Sequence, residues 1–177
     1  MPRIISELVR GATLCVALAA AVPPLALGAP PAVGQTAPAL VAAGFDGTPI
    51  DVGAMRDRVV VLNFWASWCE PCRREMPLLD TLSHEYGEKI AVIGLSADDR
   101  HDRKEAAAAA RTVSYRTGML TDARVNSFGA PEVLPLTYVI DASGRISAVL
   151  RASQGALTDT QLRAAIDAAL RGGGADH

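Results

Sequence analysis

The sequence predicts a single α/β domain with a central mixed β-sheet flanked by helices. Three observations carry this prediction. Arg58 to Trp65 (RVVVLNFW) and Lys89 to Ser96 (KIAVIGLS) are nearly continuous apolar, β-branched runs, as strands buried on both faces require. Between them, Pro71 to Tyr86 sets Met76, Leu79, Leu82 and Tyr86 at helical spacing, and Gly87 stops the helix. Beyond Leu134 the chain reads strand, turn, strand, helix. A strand-helix-strand unit followed by a hairpin and a helix implies a mixed sheet with helices on both faces.

Composition supports one domain and narrows its partners. The chain has 177 residues, 17 Lys+Arg against 19 Asp+Glu, half of its residues hydrophobic and 5% aromatic. Its near-neutral balance offers no basic surface for nucleic acid, and its apolar content excludes a disordered chain. No internal repeat, Gly-rich phosphate loop or charge block is present, so nucleotide binding has no support.

Taken in order, residues 1–28 read as a targeting segment: Arg3 and Arg10 precede an apolar run ending in prolines and small residues. Removing it as a signal peptide would discard Cys15. Left uncleaved, it is just long enough to serve as a membrane anchor. Either way the domain is expected outside the cytoplasm, in the periplasm or an equivalent compartment. Disulfides persist there, and a dithiol needs a supply of electrons.

Residues 29–38 are Pro-, Gly- and Ala-rich and read as a linker into a domain spanning 39–170. Short strands are expected at Ala39 to Ala42 and Thr48 to Val52, turned by Asp46-Gly47. Asp102 to Thr112 is an Ala-rich helix, and Thr117 to Phe128 holds a short strand and a short helix. Leu136 to Ile140 and Arg145 to Arg151 form a hairpin on Asp141-Ala142-Ser143-Gly144. Thr158 caps an amphipathic helix to Leu170, and residues 171–177 are a frayed tail.

The chemistry is concentrated in Trp65-Ala66-Ser67-Trp68-Cys69-Glu70-Pro71-Cys72-Arg73-Arg74-Glu75-Met76-Pro77, where the best strand gives way to a helix. A thiol at a helix N-terminus faces unpaired N-H groups and the positive end of the macrodipole, and both favour thiolate. Lowering a thiol pKa from about 8.5 to about 7 raises the thiolate fraction at neutral pH from a few per cent to roughly half. Cys69 is therefore the expected nucleophile, and Cys72, one turn later and less exposed, the resolving thiol. A purely structural disulfide across two residues closes almost no loop and adds little stability. Zinc would need a second ligand pair, which His84, His101 and His177 do not provide. No cofactor is expected beyond the redox-active Cys69-Cys72 disulfide.

This block resembles the thioredoxin superfamily, and more closely its extracytoplasmic TlpA/ResA/DsbE branch. The resemblance starts at Val33-Gly34-Gln35-Thr36-Ala37-Pro38 and Phe45-Asp46-Gly47, runs through NFWASWCEPCRREMP, and ends at Leu134-Pro135 and Tyr138-Val139-Ile140-Asp141. It implies a thioredoxin fold with an N-terminal extension and an insertion at roughly 97–133. It also implies a cis Pro135 beside the disulfide, with the Leu134 backbone offered to an extended substrate peptide. Trp68, Leu134 and Pro135 are then the expected substrate contacts, and Trp68 is expected to shield the disulfide.

In ResA-like proteins a Glu at the position of Glu75 handles protons for the cysteines; burial would raise its pKa and fit it to accept the Cys72 proton. Acidic residues are also ordinary in a first helical turn. Asn63 departs from the buried acid of thioredoxin itself, cannot take a proton, and reads as a hydrogen-bonded core group. Trp65 reads as packing, and Arg73 and Arg74 as a solvated face.

Glu70 opposes thiolate formation at Cys69, which favours the disulfide and makes the protein an electron donor. The resemblance implies disulfide-containing protein substrates, with apocytochrome c suggested, and a membrane electron donor of the DsbD/CcdA type. Two other readings compete. A copper-handling binding module would use the two thiolates, with Met76 as a further soft ligand. A peroxidase would place its nucleophile in a Pro/Thr loop, which this block is not.

Overall fold

The structure, a computed structural model, describes residues 30–55, 57–151 and 157–172. The expected targeting segment and residues 173–177 of the expected tail lie outside these. Among the described residues no helix is long and apolar enough to cross a membrane.

The strands are β1 (Leu40–Ala43), β2 (Pro49–Asp51), β3 (Val59–Trp65), β4 (Ile90–Ser96), β5 (Arg116–Met119), β6 (Val125–Asn126), β7 (Leu136–Ile140) and β8 (Ile146–Arg151). The helices are α1 (Glu70–Tyr86), α2 (Arg103–Ala110) and α3 (Asp159–Gly172). A five-stranded sheet runs β5-β4-β3-β7-β8, parallel from β3 to β5 and antiparallel through β7 and β8. All seven residues of β3 are buried, which is why its sequence reads as one apolar run. Each fully buried Val, Leu or Phe there contributes about 1.5–3 kcal/mol of transfer free energy.

The two faces of this sheet are covered differently. Val59 and Val61 pack under α1 and α3 with Leu79, Leu82, Leu162 and Ile166. Trp65, on the same side, packs with Met76 of α1 and Ala106 and Ala110 of α2. The opposite face, through Val60, Leu62 and Phe64, is covered by Leu40, Ile50 and Phe128 and, among the described residues, by no α-helix residue. The helices expected on both faces are therefore corrected to α-helices on one, with only the 3-10 turns Val52–Ala54 and Leu120–Asp122 on the other. The reason is topological: β3-α1-β4 and β4-α2-β5 step in the same direction, and two right-handed crossovers put both helices on the same side.

A small antiparallel sheet, β2-β1-β6, covers the other face. It joins the N-terminal extension to the insertion. Phe45 N-H reaches the Thr117 carbonyl at 2.8 Å, and a Cβ on Gly118 would stand 2.4 Å from the Ala43 carbonyl oxygen, so β5 can pass only as glycine there. The stretch expected to be a linker is also docked: Gly34 N-H and Ala37 N-H donate to the Ile146 and Gly144 carbonyls, each at 2.8 Å.

The expected caps are present. Gln161 N-H donates to Thr158 Oγ1 at 3.3 Å, and Thr158 N-H donates back to Gln161 Oε1 at 3.0 Å, a reciprocal capping box. Gly87 ends α1 at φ 55°, and α3 runs on to Gly172, taking Arg171 and Gly172 from the expected tail.

Candidate active site

Where β3 ends, Ala66 to Trp68 carry the chain to Cys69, the N-cap residue of α1. Cys72 N-H donates to Cys69 Sγ at 3.3 Å, so the sulfur itself occupies the position where a capping oxygen usually satisfies an orphan N-H. Pro71, at the start of the helix, needs no N-H acceptor there. Cys69 and Cys72 form a disulfide with a Cα–Cα separation of 5.3 Å. Cys69 is 5% exposed and Cys72 1%, the order expected for an attacking and a resolving sulfur.

The pair sits in a small apolar cluster of Trp65, Ala66, Met76, Ala106, Ala110 and Met119, with Leu134 packed against it. The Leu134–Pro135 peptide bond is cis. Pro135 is buried and Leu134 half-buried, at the entrance to β7, which pairs with β3. Thus the two segments quoted for the resemblance, 66 residues apart by number from Cys69 to Pro135, meet across the β3–β7 pairing.

Trp68 is 68% exposed, whereas the fully buried Trp65 packs in the cluster that holds Cys69 and Cys72. Alternation explains the split: Trp65 follows Val59 and Val61 onto the helix-covered face, while Trp68 lies in the loop beyond the strand. Trp68 lines a groove of about 560 Å³ beside the cysteines, with Met76, Pro77, Ala108 and Ala109 on its apolar walls. Its indole should report the pair's state: reduction of the disulfide is expected to change Trp68 emission, an effect absent in Trp68→Phe if Trp68 rather than Trp65 carries the signal.

Glu75 is 2% exposed, one turn beyond Cys72 on the same buried face. Its Oε1 accepts the Leu157 N-H at 2.9 Å, and its Oε2 is buried with no hydrogen-bond partner among the described residues. Burial pushes the carboxyl above its usual range; the Leu157 N-H and the Arg74 charge only partly oppose this. Asn63 is 1% exposed and donates from Nδ2 to Thr137 Oγ1 at 3.0 Å across the β3–β7 pair, a satisfied core amide.

Arg74 is solvated, as expected, with its side chain 57% exposed, and donates to Glu70 Oε1 at 2.5 Å. A paired Glu70 exerts a weaker field at Cys69 than the sequence suggested. A second acid, Asp98, was missed. It is 1% exposed at the carboxyl end of β4 and accepts hydrogen bonds from Ser67, two residues before Cys69. The signal available was its place just past a parallel strand adjoining β3, since ligand and catalytic groups gather at carboxyl ends of parallel strands.

Comparison with known proteins bears on the fold and the family. The thioredoxin-like protein YneN of Bacillus subtilis is 33% identical over 115 residues, covering 64% of this chain and 68% of its own. The thiol-disulfide oxidoreductase ResA of Geobacillus thermodenitrificans is 31% identical over 122 residues, covering 67% and 69%. Among solved structures, a thioredoxin-family thiol:disulfide interchange protein of Chlorobium tepidum superposes with a TM-score of 0.62 at 22% identity, covering 81% of this chain and 99% of its own. A DsbF homologue of Corynebacterium diphtheriae gives 0.60 at 25% identity, covering 75% and 85%. The fold is thus thioredoxin-like, and because residues 33–149, from the docked extension to β8, match the AhpC/TSA family, the chain belongs to that family.

Proposed function

We propose that this protein is an extracytoplasmic thiol-disulfide reductase that passes electrons to disulfide-containing proteins through Cys69 and Cys72. The observation that carries the reading is the placement of Cys69: its sulfur caps α1, is bonded to Cys72 and is the more accessible of the two. The relative ResA is named a thiol-disulfide oxidoreductase, which supports redox chemistry at this pair.

In the cycle, Cys69 thiolate attacks one sulfur of a substrate disulfide. That bond breaks, a mixed disulfide forms, and the departing substrate sulfur takes up a proton. Glu75 accepts the Cys72 proton, and Cys72 thiolate attacks Cys69 Sγ, releasing the second substrate thiol. Two electrons pass to the substrate and the Cys69-Cys72 disulfide is left behind. Leu134, beside cis Pro135, offers its backbone to an extended substrate segment, and Trp68 provides an apolar flank.

An oxidising compartment requires that the disulfide be reduced again, and a membrane electron donor of the DsbD/CcdA type fits that need. Apocytochrome c, whose haem-attaching cysteines must be reduced, is the substrate the resemblance favours. The direction of electron flow is tested by equilibrating the protein with glutathione. A potential near thioredoxin's about −270 mV, together with reduction of a model protein disulfide, supports a reductase. A value near about −120 mV, that of a strong oxidant, reverses the direction.

A further inference from the structure

Among the described residues, Asp98 is the one buried carboxylate near the cysteines for which the cycle above has no use. Its Oδ2 accepts the Ser67 N-H at 2.8 Å and the Ser96 hydroxyl at 2.5 Å, and its Oδ1 accepts the Ser67 hydroxyl at 2.7 Å. Its own N-H donates to Ser96 Oγ at 3.0 Å, and the adjoining Ala97 N-H reaches the Trp65 carbonyl at 2.7 Å. The end of β4 thereby grips the loop that begins at Trp65 and ends at Cys69. Cys69 N-H closes that loop on the Ala66 carbonyl at 3.1 Å.

Charge makes this more than a turn. Glu70 is exposed and paired with Arg74, whereas among the described residues no cation lies within ion-pair distance of Asp98. A buried carboxylate with no counter-cation acts through less solvent screening than an exposed pair. The other charged groups of the site are Glu75, Arg73 and Arg74 on α1 and Glu105 on α2, which lines the groove. Arg73 lines the groove, and Arg74 is committed to Glu70.

We propose that Asp98 is a positioning residue for the cysteine pair: through Ser67 it fixes the loop that presents Cys69, and its charge disfavours the Cys69 thiolate, holding the pair toward electron donation. This rests on the redox reading of Cys69 and Cys72. It transfers to Asp98 the electrostatic role that the sequence alone suggested for Glu70.

The test is the glutathione equilibrium of the full protein and its variants, with circular dichroism and thermal melts as fold controls. Asp98→Asn keeps the shape and an acceptor oxygen for Ser67 N-H while removing the charge. The equilibrium is expected to move about tenfold toward the dithiol, a potential roughly 30 mV less negative. Ser67→Ala removes only the hydroxyl contact and is expected to slow attack of Cys69 on a small disulfide about threefold, by loss of one hydrogen bond in the anchor, with Ser67→Thr restoring the rate. A folded Asp98→Asn protein with the wild-type potential overturns the proposal, even if its melting temperature falls, because Asp98 then serves the fold alone. Should Asp98→Asn not fold, an unchanged rate in Ser67→Ala overturns it instead. A wild-type pair that never equilibrates with glutathione defeats the proposed function itself, a result distinguishable from either.

Discussion

Replacing Cys69 with Ser is expected to reduce disulfide turnover to the uncatalysed background, while Cys72→Ser stops the protein after one exchange, with substrate held on Cys69. The asymmetry follows from position. Cys69 caps the helix and is the more exposed sulfur; Cys72 lies inside the first turn at 1% exposure, reachable by a neighbouring sulfur but not by a folded partner. Without Cys72, only an outside thiol can release the mixed disulfide, so the covalent complex should persist on a non-reducing gel and its partner be identifiable by mass spectrometry. Both serine variants should retain the fold, because a bridge across two intervening residues closes too short a loop to stabilise the chain much. Persistent turnover in Cys69→Ser, or trapping through Cys72 instead, would reverse the two roles.

Much of this was readable from the residues, for reasons that differ by element. β3 announces itself because both its faces are covered, leaving no position for a polar side chain except Asn63, which Thr137 satisfies. The cysteine pair was legible because it is local, Cys69 and Cys72 sharing one helix end, whereas Glu75 was singled out through the family resemblance. What escaped depends on contacts between distant segments. Leu157 donates to Glu75 from 82 positions away, a distance no helical or strand period spans. β6 is two residues long, and Val125 is 41% exposed; it exists because β1 offers backbone partners, not because its side chains call for a strand. The covering of one sheet face by β1, β2 and β6 rather than by a helix likewise needs the crossover direction, which residue patterning does not contain. The Glu70–Arg74 pair was within reach, since residues four apart on a helix are neighbours.

Glu75→Gln is expected to slow resolution of the mixed disulfide by about 10²-fold near neutral pH while leaving the first attack by Cys69 nearly unchanged. The amide still accepts the Leu157 N-H but cannot take a proton from Cys72. Its pH dependence separates a proton carrier from a packing residue. Burial raises the Glu75 carboxyl above its usual value, so the base form, and with it the wild-type resolution rate, should grow as pH rises through that raised value. In Glu75→Gln this limb should vanish, and the rate should climb only when the Cys72 thiol itself ionises. Stability should change in the opposite sense. A carboxyl whose folded pKa is raised above its unfolded value of about 4.3 favours the folded state below that value, and loses this contribution as pH rises through the folded pKa. Wild type should therefore lose stability relative to Glu75→Gln on going from acid toward neutral pH, because the ionised carboxylate keeps one buried oxygen without a hydrogen-bond partner among the described residues. Stopped-flow exchange and denaturant melts across the same pH series measure both. Parallel profiles for the two proteins in either measurement would remove Glu75 from the proton path.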